Sequence, residues 1–258
     1  MDLKHVEVFL IDLDGTVYVG DKLLPGAKDA VDALRKAGRT ICFLTNNSSR
    51  SKDEYLAKLA RLGIGVSPKE IFTSQAATIT YLHKYHKGKR VHLLGVKALE
   101  SDLILNGIVV DESDPEVAVL GYDTELTYEK LCRFCLTLAK GVPYIATHGD
   151  LNCPSPRGML PDAGSMMALI EKSTGRLPDV VVGKPNQTML DALMDVFNVA
   201  APQKYCMIGD RLTTDIAFGK RCGMVSVLVL SGETTAEMTT AATADIIVPG
   251  IGDIIGLL

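Results

Sequence analysis

Residues 6–16 read Val-Glu-Val-Phe-Leu-Ile-Asp-Leu-Asp-Gly-Thr, and the fold turns on how this stretch is read. The apolar run Val8-Phe9-Leu10-Ile11 stops abruptly at Asp12-Leu13-Asp14, and Gly15-Thr16 follow. A short, partly β-branched apolar run bounded by polar residues and glycine predicts a buried central strand. Side chains alternate along a strand, so aspartates two apart point the same way. In an open α/β sheet, ligands bind in the crevice at the carboxyl ends of the strands. Two carboxylates at that place suit a cation together with acid–base or nucleophilic chemistry. Taken alone, the pair is also read as a loop aspartate and a helix cap.

The segments on either side decide between the two. After Pro25-Gly26, Ala27, Ala30, Val31, Leu34 and Ala37 form one apolar helical face, which Gly38 ends. Thr40–Leu44 predicts the next strand, running into Thr45-Asn46-Asn47-Ser48. Ser51-Lys-Asp-Glu54 is a capping box for a helix that stops at Gly63, and Ser67-Pro68-Lys69-Glu70 is a second helix-start signal. This alternation predicts an α/β fold, with a parallel sheet covered by helices on both faces.

Further along, helices are predicted over 75–86, 98–105, 128–139 and 165–173. Strands are predicted over 90–94, near 108–110, over 117–120 and over 143–147. Between them, His148–Gly164 is a long proline- and glycine-rich stretch, read as irregular and functional or mobile because ordinary connections are much shorter. Strands then follow at 180–182, 205–208, 225–230 and 246–248, with helices at 188–197 and 216–221.

With 258 residues and 47% hydrophobic content, the chain can bury a large core in one or two domains. A net charge of −4 without a dense basic cluster disfavours nucleic acid as a partner. Six dispersed cysteines (42, 132, 135, 153, 206 and 222) fit reduced thiols in a cytosolic protein. Cys132 and Cys135 form a CxxC within a helical pattern, which is read as structural. Asp2, Lys4, His5 and Glu7 interrupt any signal peptide, and no apolar stretch reaches the ~20 residues needed to span a membrane. The expectation is a soluble, cytoplasmic protein.

Four predicted strands end in ligand-ready residues: Asp12 and Asp14; Thr45, Asn46 and Asn47; Lys184; and Asp210 with Asp215. In one parallel sheet they share one rim. Hard oxygen ligands with room for waters suit Mg²⁺. The lysine, hydroxyl and amide donors suit a phosphoryl group, whose transfer depends on positioning and charge neutralisation. Electrostatics assigns the roles. Asp12 is the nucleophile, and the metal and Lys184 offset the repulsion between two approaching anions. Asp210 helps hold the metal, and Asp215 orients it or pairs with Lys184. Asp14 protonates the leaving oxygen and later deprotonates the attacking water. Thr45 and Asn46, with neighbouring amides, hydrogen-bond the phosphoryl oxygens. A P-loop is excluded because position 178 is proline and Pro185 follows the lysine, and no GxGxxG follows the first strand.

Asp12-Leu-Asp-Gly-Thr16, Thr45-Asn-Asn47, Gly183-Lys-Pro185 and Gly209-Asp-Arg-x-x-Thr-Asp215, in that order, resemble the haloacid dehalogenase superfamily of phosphohydrolases. The resemblance implies a Rossmann-like core, Mg²⁺ dependence and an aspartyl-phosphate intermediate. It places the nucleophile on Asp12, the acid/base on Asp14 and phosphate binding on Thr45, Asn46, Asn47 and Lys184. The metal falls on Asp12, Asp210 and the backbone carbonyl of Asp14, with Asp215 in support. An acid at position 14 argues against dehalogenation. The gap over residues 15–44 holds 30 residues, whereas 48–183 holds 136, room for an inserted α/β domain. That arrangement is similar to the subgroup with a large α/β cap, which includes NagD and the p-nitrophenyl phosphatases. The implied division is a discontinuous core (1–74 and 178–258) and a cap (75–177).

The function expected is a phosphatase acting on small phosphate monoesters such as sugar phosphates, nucleotide monophosphates and aryl phosphates. Its partner is then a small phosphorylated metabolite, with no nucleic acid or membrane, and the resemblance admits a homodimer. A phosphotransferase using the same site and a non-catalytic binding protein are the alternatives. The cap stretch 148–164 occupies the place of the subgroup's specificity loop, with His148, Asp150, Asn152, Arg157 and Met159 as candidate contacts, each also read as a solvated loop residue.

Overall fold

A computed structural model describes residues 2–155 and 157–258. Pro156, inside the irregular stretch, lies outside them. The chain divides into two units. The first comprises Met1–Thr45, Lys52–Phe72 and Lys184–Leu258, and the second Asn46–Ser51 and Thr73–Gly183.

The first unit is built on a six-stranded sheet. Its strands run in the order Ile246–Val248, Val225–Val229, Tyr205–Gly209, Val8–Ile11, Thr40–Thr45 and Ile71–Thr73. Val8–Ile11 is buried at every residue, as an uninterrupted apolar run must be when both faces of a parallel sheet are covered. It pairs in parallel with Tyr205–Gly209 on one side and Thr40–Thr45 on the other, Ile11 lying opposite both Ile208 and Phe43. These registers bring Asp12, Asp210 and Thr45 to one edge. The chain leaves the first strand to one side and returns on the other, the topological switch at which α/β sheets bind ligands. Helix Ala27–Lys36 buries Ala27, Ala30, Val31 and Leu34, the face its spacing predicts. Helix Gln187–Phe197 buries Met189, Leu190, Ala192 and Leu193.

Two elements here differ from the sequence reading. Pro68–Glu70 forms a single tight turn, closed by a Ser67/Glu70 capping box, and leads into the strand Ile71–Thr73 instead of a helix. Just after the first strand, Tyr18–Val19 and Lys22–Leu23 make a small antiparallel hairpin.

The second unit carries a five-stranded sheet in the order Val180–Val181, Tyr144–Ala146, Val117–Leu120, Arg90–Leu94 and Val109–Val110, all in parallel pairings. Helices Ser74–Tyr85, Lys97–Leu105, Tyr128–Ala139 and Ala163–Thr174 accompany it. Phe134 meets His92 and Tyr144 edge-on at 5.4 and 5.6 Å, anchoring helix Tyr128–Ala139 on the sheet. The stretch 148–164 is more ordered than its composition suggests. Asn152–Ser155 and Gly158–Pro161 form an antiparallel ribbon, and Ala163 already opens a helix capped by the Asp162 side chain. All six cysteines are free. Among the described residues, no helix is long and apolar enough to cross a membrane.

Candidate active site

Lys184 is the centre of the site in the first unit. Its ammonium, only 2% exposed, donates to Asp12 Oδ1 at 2.6 Å, to Asp215 Oδ1 at 2.7 Å and to the Leu44 carbonyl at 3.3 Å. Asp215 accepts a further bond at Oδ2 from the Arg211 backbone N–H at 3.1 Å. Gly209 permits that approach, because a β-carbon there would strike the Asp215 carboxyl.

Asp210 leaves the neighbouring strand beside this pair. The Glu233 N–H donates to its Oδ2 at 2.6 Å, and the Thr234 hydroxyl donates to its carbonyl at 2.5 Å. Gly15 (φ +88°) and Gly232 face the same carboxyl closely, and a β-carbon on either would strike it. The Ser231 hydroxyl donates to the Gly15 carbonyl at 2.8 Å. Sequence reading did not single out the Ser231–Thr234 segment. Its signal was present, since a Ser-Gly-Glu-Thr run after the Val225–Val229 strand is a further polar strand end at the same edge.

Oxygens of Asp12, Asp210 and Asp215 lie within 4.8 Å of one another. Three carboxylates against one ammonium leave the cluster two negative charges in excess. Burial holds the Asp12 carboxyl well above the ordinary carboxylate range; Lys184 pulls it down, and Asp215 and Asp210 push it back up. Burial, then Asp215, raises Asp210 to about 6. Burial works against the Lys184 ammonium, but Asp12 and Asp215 more than offset this and raise it. The directions agree: the ammonium stays charged, and the outnumbered carboxylates compete for protons.

A divalent cation fits this donor set. It supplies the two missing charges, the ligands are hard oxygens, and Asp210 Oδ1 is buried without a hydrogen-bond partner. Asp12, Asp210 and Asp215 are the side chains whose oxygens lie close enough to share it.

Asp14 is different in kind. Its side chain is 52% exposed, with Lys58 Nζ 4.0 Å from Oδ1. Thr45, 6% exposed, ends the strand Thr40–Thr45 in the first unit. Asn46 and Asn47 fall in the second unit. There the Asn46 amide donates to Asp150 Oδ1 at 3.0 Å. Asn47 Oδ1 accepts from the Ser49 N–H and hydroxyl, both at 2.8 Å, so Asn47 organises its own turn.

Of the loop candidates in the second unit, His148 is fully buried rather than solvated. Its ring nitrogens meet Thr147 Oγ1 at 3.0 Å and Asp162 Oδ1 at 2.9 Å. With Asp150 and Asp162 it makes a second group of close ligand atoms, but both its nitrogens are already engaged. Asp150 partners Asn46, whereas Asn152, Arg157 and Met159 are exposed.

The chain matches the family profile described as haloacid dehalogenase-like hydrolase over residues 9–109, and a second HAD-hydrolase-like profile over 181–254. It is 33% identical to the 5'-nucleotidase YutF of Bacillus subtilis over 92% of each chain. It is also 33% identical to an acid sugar phosphatase of Staphylococcus aureus, over 91% of this chain and 90% of the relative. Among solved structures, a 4-nitrophenylphosphatase from Thermotoga maritima is 41% identical, with a TM-score of 0.95 over 98% of both chains. NagD from Escherichia coli is 27% identical, with a TM-score of 0.88 over 98% of both chains. The chain belongs to the haloacid dehalogenase-like hydrolases and is a NagD-like phosphatase acting on phosphoric monoesters.

Proposed function

We propose that the protein is a Mg²⁺-dependent phosphatase of small-molecule phosphate monoesters that works through an aspartyl-phosphate on Asp12. The observation that carries this reading is the Lys184 bridge between Asp12 and Asp215, set beside the unpartnered Asp210 oxygen. It describes a nucleophile with one fixed positive charge against it and a place for a second. When bound, Mg²⁺ offsets the charge of the incoming phosphoryl group.

The protein's own residues divide the remaining work. An Asp12 carboxylate oxygen bonds to phosphorus as the ester P–O bond breaks, its electron pair leaving with the departing oxygen. Asp14 gives that oxygen a proton. Asp14, now a carboxylate, takes a proton from water as the water oxygen bonds to phosphorus, and the P–O bond to Asp12 breaks. Asp12 and Asp14 return to their starting states, and phosphate and alcohol are the products. Lys184 stays charged throughout and limits repulsion between Asp12 and the phosphoryl oxygens. Thr45, at the end of the strand Thr40–Thr45, is assigned to the phosphoryl oxygens.

Substrate choice is assigned to the second unit as an inserted cap. The names of relatives, a 5'-nucleotidase and an acid sugar phosphatase, support nucleotide monophosphates and sugar phosphates as the classes to try first. Six free cysteines support a reducing, cytoplasmic setting. The test is phosphate release across a panel of phosphorylated metabolites with Mg²⁺, ranked by kcat/KM, for the native protein and Asp12→Asn. Turnover that survives Asp12→Asn rejects the mechanism. Phosphate appearing on an added alcohol instead of in solution assigns the protein to transfer.

A further inference from the structure

Lys58 is a buried cation that the reaction above does not use. It sits on helix Lys52–Arg61 and is 8% exposed, although lysine is almost never buried unless paired. Its ammonium lies 3.5 Å from the centroid of the Tyr18 ring and 4.0 Å from Asp14 Oδ1. Tyr18 is fully buried, and its carbonyl accepts the Gly15 N–H at 2.8 Å, so cation, ring and the turn that carries Asp14 form one assembly. A methionine or leucine would fill this place without the desolvation that a buried charge entails, and such replacements are often neutral or stabilising. The separation from Asp14 is informative too. At 4.0 Å the ammonium is close enough to act on the Asp14 carboxyl through its charge, and the Asp14 side chain is 52% exposed.

We propose that Lys58 is a positioning residue for Asp14, its ammonium on the Tyr18 ring holding the Asp14 carboxyl where it delivers a proton to the leaving oxygen and takes one from water. The proposal rests on the reading of Asp14 as the proton carrier. In the first step Asp12 bonds to phosphorus, the ester bond breaks and the Asp14 proton goes to the departing oxygen. In the second, water loses its proton to Asp14 as its oxygen displaces Asp12 from phosphorus. A weakly basic leaving group such as p-nitrophenolate departs without the first proton, whereas an alkoxide does not. Both substrates need the second transfer.

The experiment compares p-nitrophenyl phosphate with a simple alkyl phosphate, both with Mg²⁺, for the native protein, Lys58→Met, Lys58→Arg and Asp14→Asn. In Lys58→Met the aryl-to-alkyl ratio of kcat/KM should rise about 10-fold. A pre-steady-state burst of about one p-nitrophenolate per protein should appear, because phosphorylated Asp12 now waits for water. Lys58→Arg, which keeps the charge, should hold the ratio within about 3-fold of the native value. The burst amplitude counts competent molecules, so misfolded protein is not mistaken for slow protein. Equal losses on both substrates without a burst, or an arginine variant that behaves like methionine, overturn the proposal. Should Asp14→Asn itself leave the ratio unchanged, the reading of Asp14 fails, and the Lys58 proposal with it. If Asp14→Asn raises the ratio and Lys58→Met does not, only the Lys58 proposal fails.

Discussion

The Lys184 ammonium and the Asp12 carboxylate meet at 2.6 Å in a place where lysine is 2% exposed, and Lys184 is the cation bonded to Asp12. Removing it strands the Asp12 carboxylate beside two further carboxylates. Breaking a buried pair from one side typically costs 3–5 kcal/mol, and Lys184→Met is expected to destabilise the metal-free protein by about that much. Urea unfolding with a chelator present measures it. Added Mg²⁺ should recover part of the loss and none of the turnover.

Asp12→Asn should behave oppositely in the fold. Replacing one carboxylate by an amide relieves repulsion from Asp210 and Asp215, so without metal the variant should melt at or above the native temperature. It should show no turnover and no phosphorylated protein by intact mass. A melting temperature well below native would mean that Asp12 is needed to neutralise Lys184.

The Asp210 carboxyl, raised to about 6 from an ordinary 3.8, gives a pH dependence of definite sign. Between those values the folded protein holds a proton that the unfolded chain has released. Raising the pH through this window therefore removes stability from the metal-free protein, on the order of 3 kcal/mol. Asp210→Asn should flatten that slope. Protons and Mg²⁺ compete for the same oxygens, so the apparent Kd for Mg²⁺ should weaken as pH falls below about 6. Calorimetric titration across pH checks both.

Ser48 offers a test remote from the chemistry. Its Oγ accepts the Tyr122 N–H at 2.8 Å and the Thr147 hydroxyl at 3.1 Å, all buried in the second unit. Ser48→Ala leaves the Tyr122 donor unsatisfied, at an expected cost of about 1–3 kcal/mol. Hydrogen exchange at Tyr122 should quicken more than exchange in the first unit's strands.

The parts of the molecule legible in the sequence are those where residue type and period agree. Val8–Ile11 could be read because an unbroken apolar run of that length suits a strand covered on both faces. Asp12, Lys184, Asp210 and Asp215 could be read as a set because charged residues directly after apolar strands have few structural uses. Ile71–Thr73 was hidden by the helix-start signal before it, and three residues are too few to show a period. The ribbon at 152–161 was hidden by Pro154 and Pro161, which weigh against strands except at edges. Two further features depend on distant partners. Asn46 meets Asp150, 104 residues away, and Lys58 is buried because the Tyr18 hairpin lies against it. Neither contact leaves a local trace.

The Val8–Ile11 strand takes one of its two neighbours, Tyr205–Gly209, from near the other end of the chain. The second unit's five sheet strands, by contrast, are all made by residue 181. During synthesis, then, this strand gains that neighbour only after the second unit's sheet strands have been made. Until then one flank of Val8–Ile11 is bare, an interval in which an apolar edge invites misassociation. The Asp12 carboxylate at its end meets Lys184 only after the second unit's sheet strands have all been made.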